Sequence, residues 1–230
     1  METIANGDTR LRVHIEGEGP PVLLLHGFPD SHRLWRHQMP ALVAGGYRVI
    51  AADLRGFGGS DRPLAVEAYT MTTLVGDVTA ILDHSGESAA HVVGHDWGAI
   101  LAWVTAGFLP QRVRSLAALS VGHPGAFFNA GIAQREKSWY MLLFMYEGLA
   151  EQMLMADDWA FAREFVRDHP ELANWQQDLG REGALTAALN WYRANVDPRR
   201  PQPAWPRVQA PVMGVWSSDD HYLVESQMRD

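Results

Sequence analysis

The sequence contains no cysteine among its 230 residues. That absence excludes disulfide bonds, thiolate catalysis and cysteine zinc sites, and it leaves the redox compartment undetermined. Positive charge is also scarce, because 19 lysines and arginines stand against 27 aspartates and glutamates, for a formal net charge of −8. Since the basic residues are scattered as well, the sequence argues against a nucleic-acid partner and gives no reason to expect an anionic membrane partner.

Long apolar runs are missing too. The first seven residues have neither the basic patch nor the apolar core of a signal peptide, and no later run approaches the length of a membrane span. We therefore expect a cytoplasmic protein with no membrane partner. With 47% hydrophobic and 20% charged residues, the composition is that of a soluble globular protein that can bury a sizeable core.

Strand and helix patterns alternate through the first half of the chain. Asn6-Gly7 predicts the turn of an antiparallel hairpin at the edge of the sheet. Helical spacing is found at residues 35–42 and 72–85, and apolar runs typical of buried strands occupy residues 21–25, 47–52, 89–94, 113–120 and 211–216. This alternation predicts an α/β fold with a mostly parallel sheet and helices on both faces.

Residues 126–203 have a different character, with many aromatics and methionines at helical spacing and no convincing strand. The segment is too long for an ordinary connection, so we predict an all-helical cap inserted into the core. The predicted domains are a first core part over residues 1–125, the cap over 126–203 and a core continuation over 204–230.

Asp96 lies at the centre of the most informative stretch, between a buried-strand pattern and a helix pattern. Gly94 and Gly98 flank it at i−2 and i+2, where the backbone of a tight strand-to-helix turn leaves no room for a Cβ. This is the pattern of a nucleophile elbow, with aspartate as the nucleophile. The amino end of the following helix favours a negative charge, so we expect Asp96 to stay ionised. The alternative is that Asp96 is simply an N-cap residue.

Three motifs recur in order at strand ends: His26-Gly27-Phe28-Pro29, residues 53–60 with the sequence DLRGFGGS, and Gly94-His95-Asp96-Trp97-Gly98. Together they resemble the α/β-hydrolase superfamily, and the aspartate with the helical cap resembles its epoxide hydrolases. The resemblance covers nearly the whole chain. It implies hydrolysis of a small apolar epoxide by water, without a metal or organic cofactor, through an ester formed on Asp96.

The resemblance also implies roles for other residues. The backbone N–H groups of Phe28 and Trp97 would form the oxyanion hole, with a cis peptide at Phe28-Pro29. Asp220 would orient a catalytic histidine, with Asp219 as the fallback and a solvated turn aspartate as the alternative.

Two segments of the cap, residues 138–151 and 189–193, look like those that supply a tyrosine each in epoxide hydrolases. Tyr140 and Tyr192 would donate to the epoxide oxygen as the ring opens, although a tyrosine beside tryptophan on an apolar helix is more often a core residue. We predict that the substrate pocket is aromatic and apolar, and we assign its remaining wall to Trp139, Met145, Trp191 and His123.

The family's base histidine has no counterpart before Asp230, so we expect a truncated chain. His123 is the least implausible substitute, His95 should point into the core, and the last strand should be an exposed edge that favours homodimers. Two other functions stay open. A haloalkane dehalogenase shares Asp96-Trp97, and a binding protein that has lost its base would keep the pocket without forming an adduct.

Overall fold

In the computed structural model, which describes residues 1–167, 169–196 and 204–229, a seven-stranded sheet forms the centre of the described chain. The strands are β1 (Glu2–Asn6), β2 (Thr9–Glu16), β3 (Pro21–Leu25), β4 (Arg48–Asp53), β5 (Ala90–His95), β6 (Val113–Leu119) and β7 (Val212–Val215). Their order is β1-β2-β4-β3-β5-β6-β7; the β1–β2 and β2–β4 pairs are antiparallel, and the other four pairs are parallel. The predicted α/β architecture and its antiparallel edge are confirmed.

Helices cover both faces of this sheet. Those of the core are α1 (Gln38–Ala44), α2 (Met71–His84) and α3 (Trp97–Phe108), together with short 3₁₀ turns at His32–Trp35, Val66–Tyr69 and Pro110–Arg112. Alternate residues of β3 face opposite sides, so that Leu23 and Leu25 pack towards α2 and α3, while Val22 and Leu24 join a separate cluster with Trp35. The single helix predicted over residues 35–42 is instead two short pieces.

Between β6 and β7, the described residues form helices and no strand. These are α4 (Pro124–Asn129), α5 (Gly131–Lys137), α6 (Trp139–Phe144), α7 (Leu149–Phe165), α8 (Leu172–Leu179) and α9 (Ala184–Asn195), and we call α4 to α9 the helical segment. The backbone of α7 leaves helical geometry at residues 156–159, where Asp157, Asp158 and Trp159 have positive φ. Part of the predicted cap, residues 197–203, lies outside the described residues.

The helical segment shares one hydrophobic core with the sheet. Phe144, Leu185 and Trp191 belong to the same buried cluster as Leu25 and Trp97. The helical segment is therefore packed against the carboxyl ends of the parallel strands, which is where ligands bind in α/β folds.

Strand β7 is followed by a turn and by the short helix α10 (Ser226–Arg229). Val212, Met213 and Val215 are exposed along β7. An apolar edge strand of this kind is the feature that we expect to favour homodimers, and that association stays a prediction. Within the described residues, none of the helices has the length and apolar character needed to cross a bilayer.

Candidate active site

Asp96 occupies a sharp turn between β5 and α3. Its backbone has φ of +52° and ψ of −123°, a conformation that non-glycine residues rarely adopt. Its side chain makes no capping hydrogen bond to α3, which is evidence against the N-cap alternative. Such strain is typical of functional positions held by their surroundings, and here it lifts the carboxyl group above the end of the sheet.

Three glycines make this turn possible. A Cβ on Gly94 would overlap the backbone of Gly98, and a Cβ on Gly98 would overlap the carbonyl oxygens of Leu25 and His26. Gly27 has the same function towards the nucleophile, since its Cβ would overlap the side chain of Asp96. The spacing of Gly94 and Gly98 around Asp96 is a signal in the sequence, whereas Gly27 is distant in sequence and carries no such signal.

One oxygen of the Asp96 carboxylate already has a backbone donor. The Phe28 N–H donates to Asp96 Oδ1 at 2.8 Å, and the peptide bond between Phe28 and Pro29 is cis. The N–H groups of Phe28 and Trp97 both act on this carboxylate. Because Oδ1 is engaged by the Phe28 N–H, we assign the attack on an electrophile to the second oxygen.

The environment of Asp96 pulls its pKa in two directions. Burial raises the pKa of the carboxyl, whereas His95 and the N–H groups of Trp97 and Phe28 lower it, and the net shift is upward. Burial therefore has a larger effect on this pKa than the backbone donors have, and the expected ionised state of Asp96 stays a prediction. A carboxylate with a raised pKa is less well solvated and hence a better nucleophile.

Tyr140 on α6 and Tyr192 on α9 converge above Asp96. Both are almost fully buried, their ring centroids are 6.2 Å apart, and both line the cavities that contain Asp96. Burial raises the pKa of each phenol well above its usual value, and the nearby Asp96 carboxylate raises it further. Both phenols therefore keep their protons and can donate a hydrogen bond towards the nucleophile.

Two cavities meet at this group of residues. The first, of about 210 Å³, is mostly apolar. It is lined, beyond the shared residues, by Met71, Trp97, Ile100, Val121, Pro124, Phe127, Phe128, Met141, Ala194, Asn195, Val196 and Trp205. The second, of about 470 Å³, carries polar groups including Asp30, Arg36, His95, Asp220 and Glu171. Asp96 thus lines both an apolar cavity and a second cavity that carries more polar groups.

Asp220 lies on the wall of the second cavity. Its Oδ1 accepts hydrogen bonds from the backbone N–H groups of Tyr222 and Leu223, each at 2.9 Å, and this turn fixes the carboxylate. Asp219 is exposed and lines neither cavity at Asp96. The structure therefore places the preferred aspartate, and not the fallback, beside the nucleophile.

The histidines differ from their predicted positions. His95 is partly exposed and lines the second cavity with Asp96, so the expectation that it points into the core is wrong. The reason is that His95 lies on the opposite face of β5 from the buried Val92 and Gly94. His123 lines a different cavity, and its two ring nitrogens engage the Gly125 N–H and the Pro206 carbonyl. The sequence assignment of His123 to the substrate pocket, and its use as a base, is therefore not supported.

Three more residues that the sequence assigned to the pocket wall lie elsewhere in the structure. Trp139, Met145 and Trp191 line neither cavity at Asp96. Trp139 is half exposed, and Trp191 is fully buried with its Nε1–H donating to the Arg55 carbonyl at 2.9 Å. Each helical residue turns by about 100°, so the neighbours of an inward-facing tyrosine point elsewhere. Trp139 and Trp191 each precede such a tyrosine by one residue, and Met145 follows Tyr140 by five.

Sequence reasoning missed the residues that form the wall in their place. Met141, Phe127 and Phe128 line the first cavity. The apolar spacing of residues 126–129 and 140–144 was visible, but it could not reveal which residues face the core and which face a cavity. No group of three or more His, Cys, Asp or Glu side chains within the described parts of the chain is arranged to hold a metal ion.

Comparisons with known proteins agree with this geometry. The family described as the alpha/beta hydrolase fold matches residues 20–230. Epoxide hydrolase A of Mycobacterium tuberculosis is 44% identical over 229 residues, covering 94% of this chain and 66% of that protein. Epoxide hydrolase 3 of Siraitia grosvenorii is 40% identical over 229 residues, covering 84% of this chain and 72% of that protein. The chain thus spans about two thirds to three quarters of these relatives.

Solved structures point in the same direction. An epoxide hydrolase from Bacillus megaterium, in complex with an inhibitor, superposes with a TM-score of 0.88 at 26% identity, covering 98% of this chain and 86% of that one. An epoxide hydrolase from metagenomes of hot environments superposes with a TM-score of 0.86 at 29% identity, covering 98% and 84%.

Proposed function

The chain belongs to the epoxide hydrolases of the α/β-hydrolase fold, and from this we propose that it opens epoxides with water to give vicinal diols. The observation that carries the proposal is the convergence of the Tyr140 and Tyr192 phenols on Asp96, whose Oδ1 is held by the Phe28 N–H at 2.8 Å. A nucleophile and two proton donors that line the same cavities suit the opening of a three-membered ether. The nucleophile attacks carbon while the donors stabilise the departing oxygen.

The first half-reaction is an alkylation of the carboxylate. The free oxygen of Asp96 attacks a ring carbon from the side opposite the breaking C–O bond, and an ester forms. The epoxide oxygen becomes an alkoxide, which takes a hydrogen bond from each phenol and a proton from one of them. Because Asp96 and the phenols are shielded from bulk water, these hydrogen bonds are stronger than they would be in solution.

The second half-reaction is hydrolysis of that ester. Water attacks the carbonyl carbon of the Asp96 ester, and the negative charge develops on the carbonyl oxygen, towards which the Phe28 N–H donates. One proton of this water returns to the phenolate left by the first half-reaction. The ester C–O bond then breaks, the other proton passes to the departing oxygen, and the diol leaves Asp96 as a carboxylate. The second cavity, with Asp220 on its wall, is the side from which we propose that the water arrives. The first cavity, lined by Phe127, Phe128 and Met141, would take an aryl or alkyl substituent.

The test is intact-protein mass spectrometry after incubation with styrene oxide, with diol formation followed in parallel. We expect either diol or a covalent adduct on Asp96, and Asp96→Asn should give neither. Tyr140→Phe and Tyr192→Phe should each slow alkylation by about 100-fold, the lower end of what a positioned proton donor contributes. Tyr146→Phe is the matched control, because Tyr146 is an exposed tyrosine of the same helical segment.

Three results would contradict the proposal. An adduct that persists in Asp96→Asn would place the nucleophile elsewhere. Halide release from a 1-haloalkane, with no reaction of any epoxide, would favour a dehalogenase. Saturable binding of styrene oxide with no adduct and no diol would favour a binding protein.

A further inference from the structure

Four consecutive residues of α9, Asn190 to Arg193, are all buried. Consecutive helical side chains point about 100° apart, so burial of four in a row means that the helix is enclosed on every side. Each has its own partner. Asn190 donates to the Leu64 carbonyl at 2.9 Å, Trp191 binds the Arg55 carbonyl, and Tyr192 faces Asp96. Tyr192 acts in the proposed reaction, and Arg193 is the charged member of this set.

Arg193 joins three parts of the helical segment. Its Nε–H donates to the Phe144 carbonyl at 3.0 Å, and its two terminal nitrogens bind the carboxylate of Glu151 at 2.9 and 3.0 Å. A further bond reaches Asn190 Oδ1 at 3.1 Å. Phe144 is the last residue of α6, where helix carbonyls lack partners within the helix, so the guanidinium caps that helix from outside.

The position of this contact matters because of where the two phenols lie. Tyr192 is the residue immediately before Arg193, and Tyr140 lies one helical turn before Phe144 on α6. The Phe144 ring also touches both phenol rings, at centroid distances of 5.4 Å from Tyr140 and 5.0 Å from Tyr192. One guanidinium therefore ties the helix of one tyrosine to the helix of the other.

We propose that Arg193, oriented by Glu151, is a positioning residue that sets the separation of the Tyr140 and Tyr192 phenols above Asp96; this rests on the proposed epoxide hydrolysis. The planar guanidinium is suited to this because its donors point in fixed directions, and a lysine ammonium could not serve Phe144 and both oxygens of Glu151 in the same geometry. Burial opposes ionisation of Glu151, but the hydrogen bonds from Arg193 outweigh it, and the pKa of Glu151 is held below its usual range.

The first test does not depend on catalysis. The protein is labelled with 3-fluorotyrosine, and the ¹⁹F resonances of its six tyrosines are assigned with single Tyr→Phe variants. Arg193→Lys and Glu151→Gln should shift the resonances of residues 140 and 192. Arg112→Met is the matched control, because Arg112 also binds a carboxylate and a carbonyl, those of Asp83 and Glu87, but at the amino end of β6. Unchanged resonances in both folded variants would overturn the proposal.

The second test measures the rate of Asp96 alkylation under single-turnover conditions. Arg193→Lys should lower the maximal rate by about 10- to 100-fold, as expected when a reacting group is misplaced by about 1 Å. The epoxide concentration at half-maximal rate should change by less than about threefold, because the cavity walls are retained. Arg193→Met should act in the same direction and more strongly, whereas Arg112→Met should leave the rate unchanged.

A double variant, in which Arg193 is replaced in a protein that already carries Tyr140→Phe, separates positioning from a general loss of structure. If Arg193 acts only on the spacing of the two phenols, its replacement should lower the alkylation rate little when Tyr140 is already phenylalanine. An effect of equal size with and without Tyr140 would overturn the proposal, as would a change in half-saturation alone. If the native chain forms neither adduct nor diol, the proposed function fails, and the ¹⁹F comparison still decides whether Arg193 holds the phenols apart.

Discussion

Two ion pairs of equal length allow a test of how burial controls electrostatic energy in this protein. Arg55–Asp77 and Arg112–Asp83 are both 2.6 Å long, but the first has side-chain exposures of 6% and 3% and the second of 17% and 61%. Arg55 binds both oxygens of Asp77, and Asn6 donates to Asp77 at 2.7 Å. Replacing Asp77 leaves a buried guanidinium without its counter-charge, whereas replacing Asp83 leaves a cation in contact with water.

The perturbation is Asp77→Asn, with Asp83→Asn as the control. Removing one partner of a buried pair costs about 3–5 kcal/mol, and the exposed pair should contribute less than about 1 kcal/mol. With a urea slope near 3 kcal/mol/M, these losses correspond to midpoint shifts of about 1–1.7 M and below about 0.3 M. A loss of that size is a large part of the total stability of a typical domain.

The assay is equilibrium urea unfolding followed by tryptophan fluorescence and by circular dichroism. Coincident transitions from both probes would justify a two-state analysis. Equal midpoint shifts for Asp77→Asn and Asp83→Asn would refute the reasoning, because the Arg55–Asp77 pair is both more deeply buried and held by more hydrogen bonds. The double variant Asp77→Leu with Arg55→Met should recover part of the loss, since it removes both buried charges together.

Three shorter predictions follow from other features. Gly98→Ala should abolish alkylation of Asp96 and destabilise the fold, because its Cβ would overlap two carbonyl oxygens. The control is Gly76→Ala on α2, which should keep full activity and gain up to about 1 kcal/mol of stability in urea unfolding. The rate of Asp96 alkylation should fall as the pH drops through the pKa of Asp96, since the protonated carboxyl is no nucleophile. The midpoint should lie above the value near 4 of an ordinary carboxyl, and a midpoint at or below 4 would contradict the upward shift. Burial lowers the pKa of His26, so the folded state binds fewer protons than the unfolded state, and the free energy of unfolding should fall as the pH drops below about 6.5. His26→Gln should reduce this dependence of stability on pH. An unchanged dependence would contradict the lowered pKa of His26.

The sequence predicted the fold because its signals are local. The turn at Asn6-Gly7, the apolar run of residues 21–25 and the glycines around Asp96 each specify backbone geometry over a few residues, and the structure contains the hairpin, the buried strand and the sharp turn. The two tyrosines were assigned in another way, from the resemblance of residues 138–151 and 189–193 to cap segments of epoxide hydrolases.

The walls of the cavities could not be predicted in this way. Whether Trp191 faces a cavity depends on the rotation of α9, and that rotation is fixed by distant partners such as Leu64 and Arg55. His95 likewise lies on a cavity wall because of the face of β5 it occupies. An error of one residue turns the direction of a helical side chain by about 100° and moves a side chain of a strand to the opposite face of the sheet. Assigning residues to a pocket wall therefore requires tertiary contacts.

The enclosure of Asn190 to Arg193 also constrains how this protein can evolve. A helix fixed on all sides cannot slide or rotate to accommodate a new ligand, so an insertion or deletion in α9 would disconnect several partners at once. New substrate preferences should therefore arise from substitution of single side chains that line the cavity, and not from movement of α9. Phe127, Phe128 and Met141 line the first cavity and lie outside α9, so libraries that vary these three positions while leaving α9 untouched should yield altered selectivity most readily.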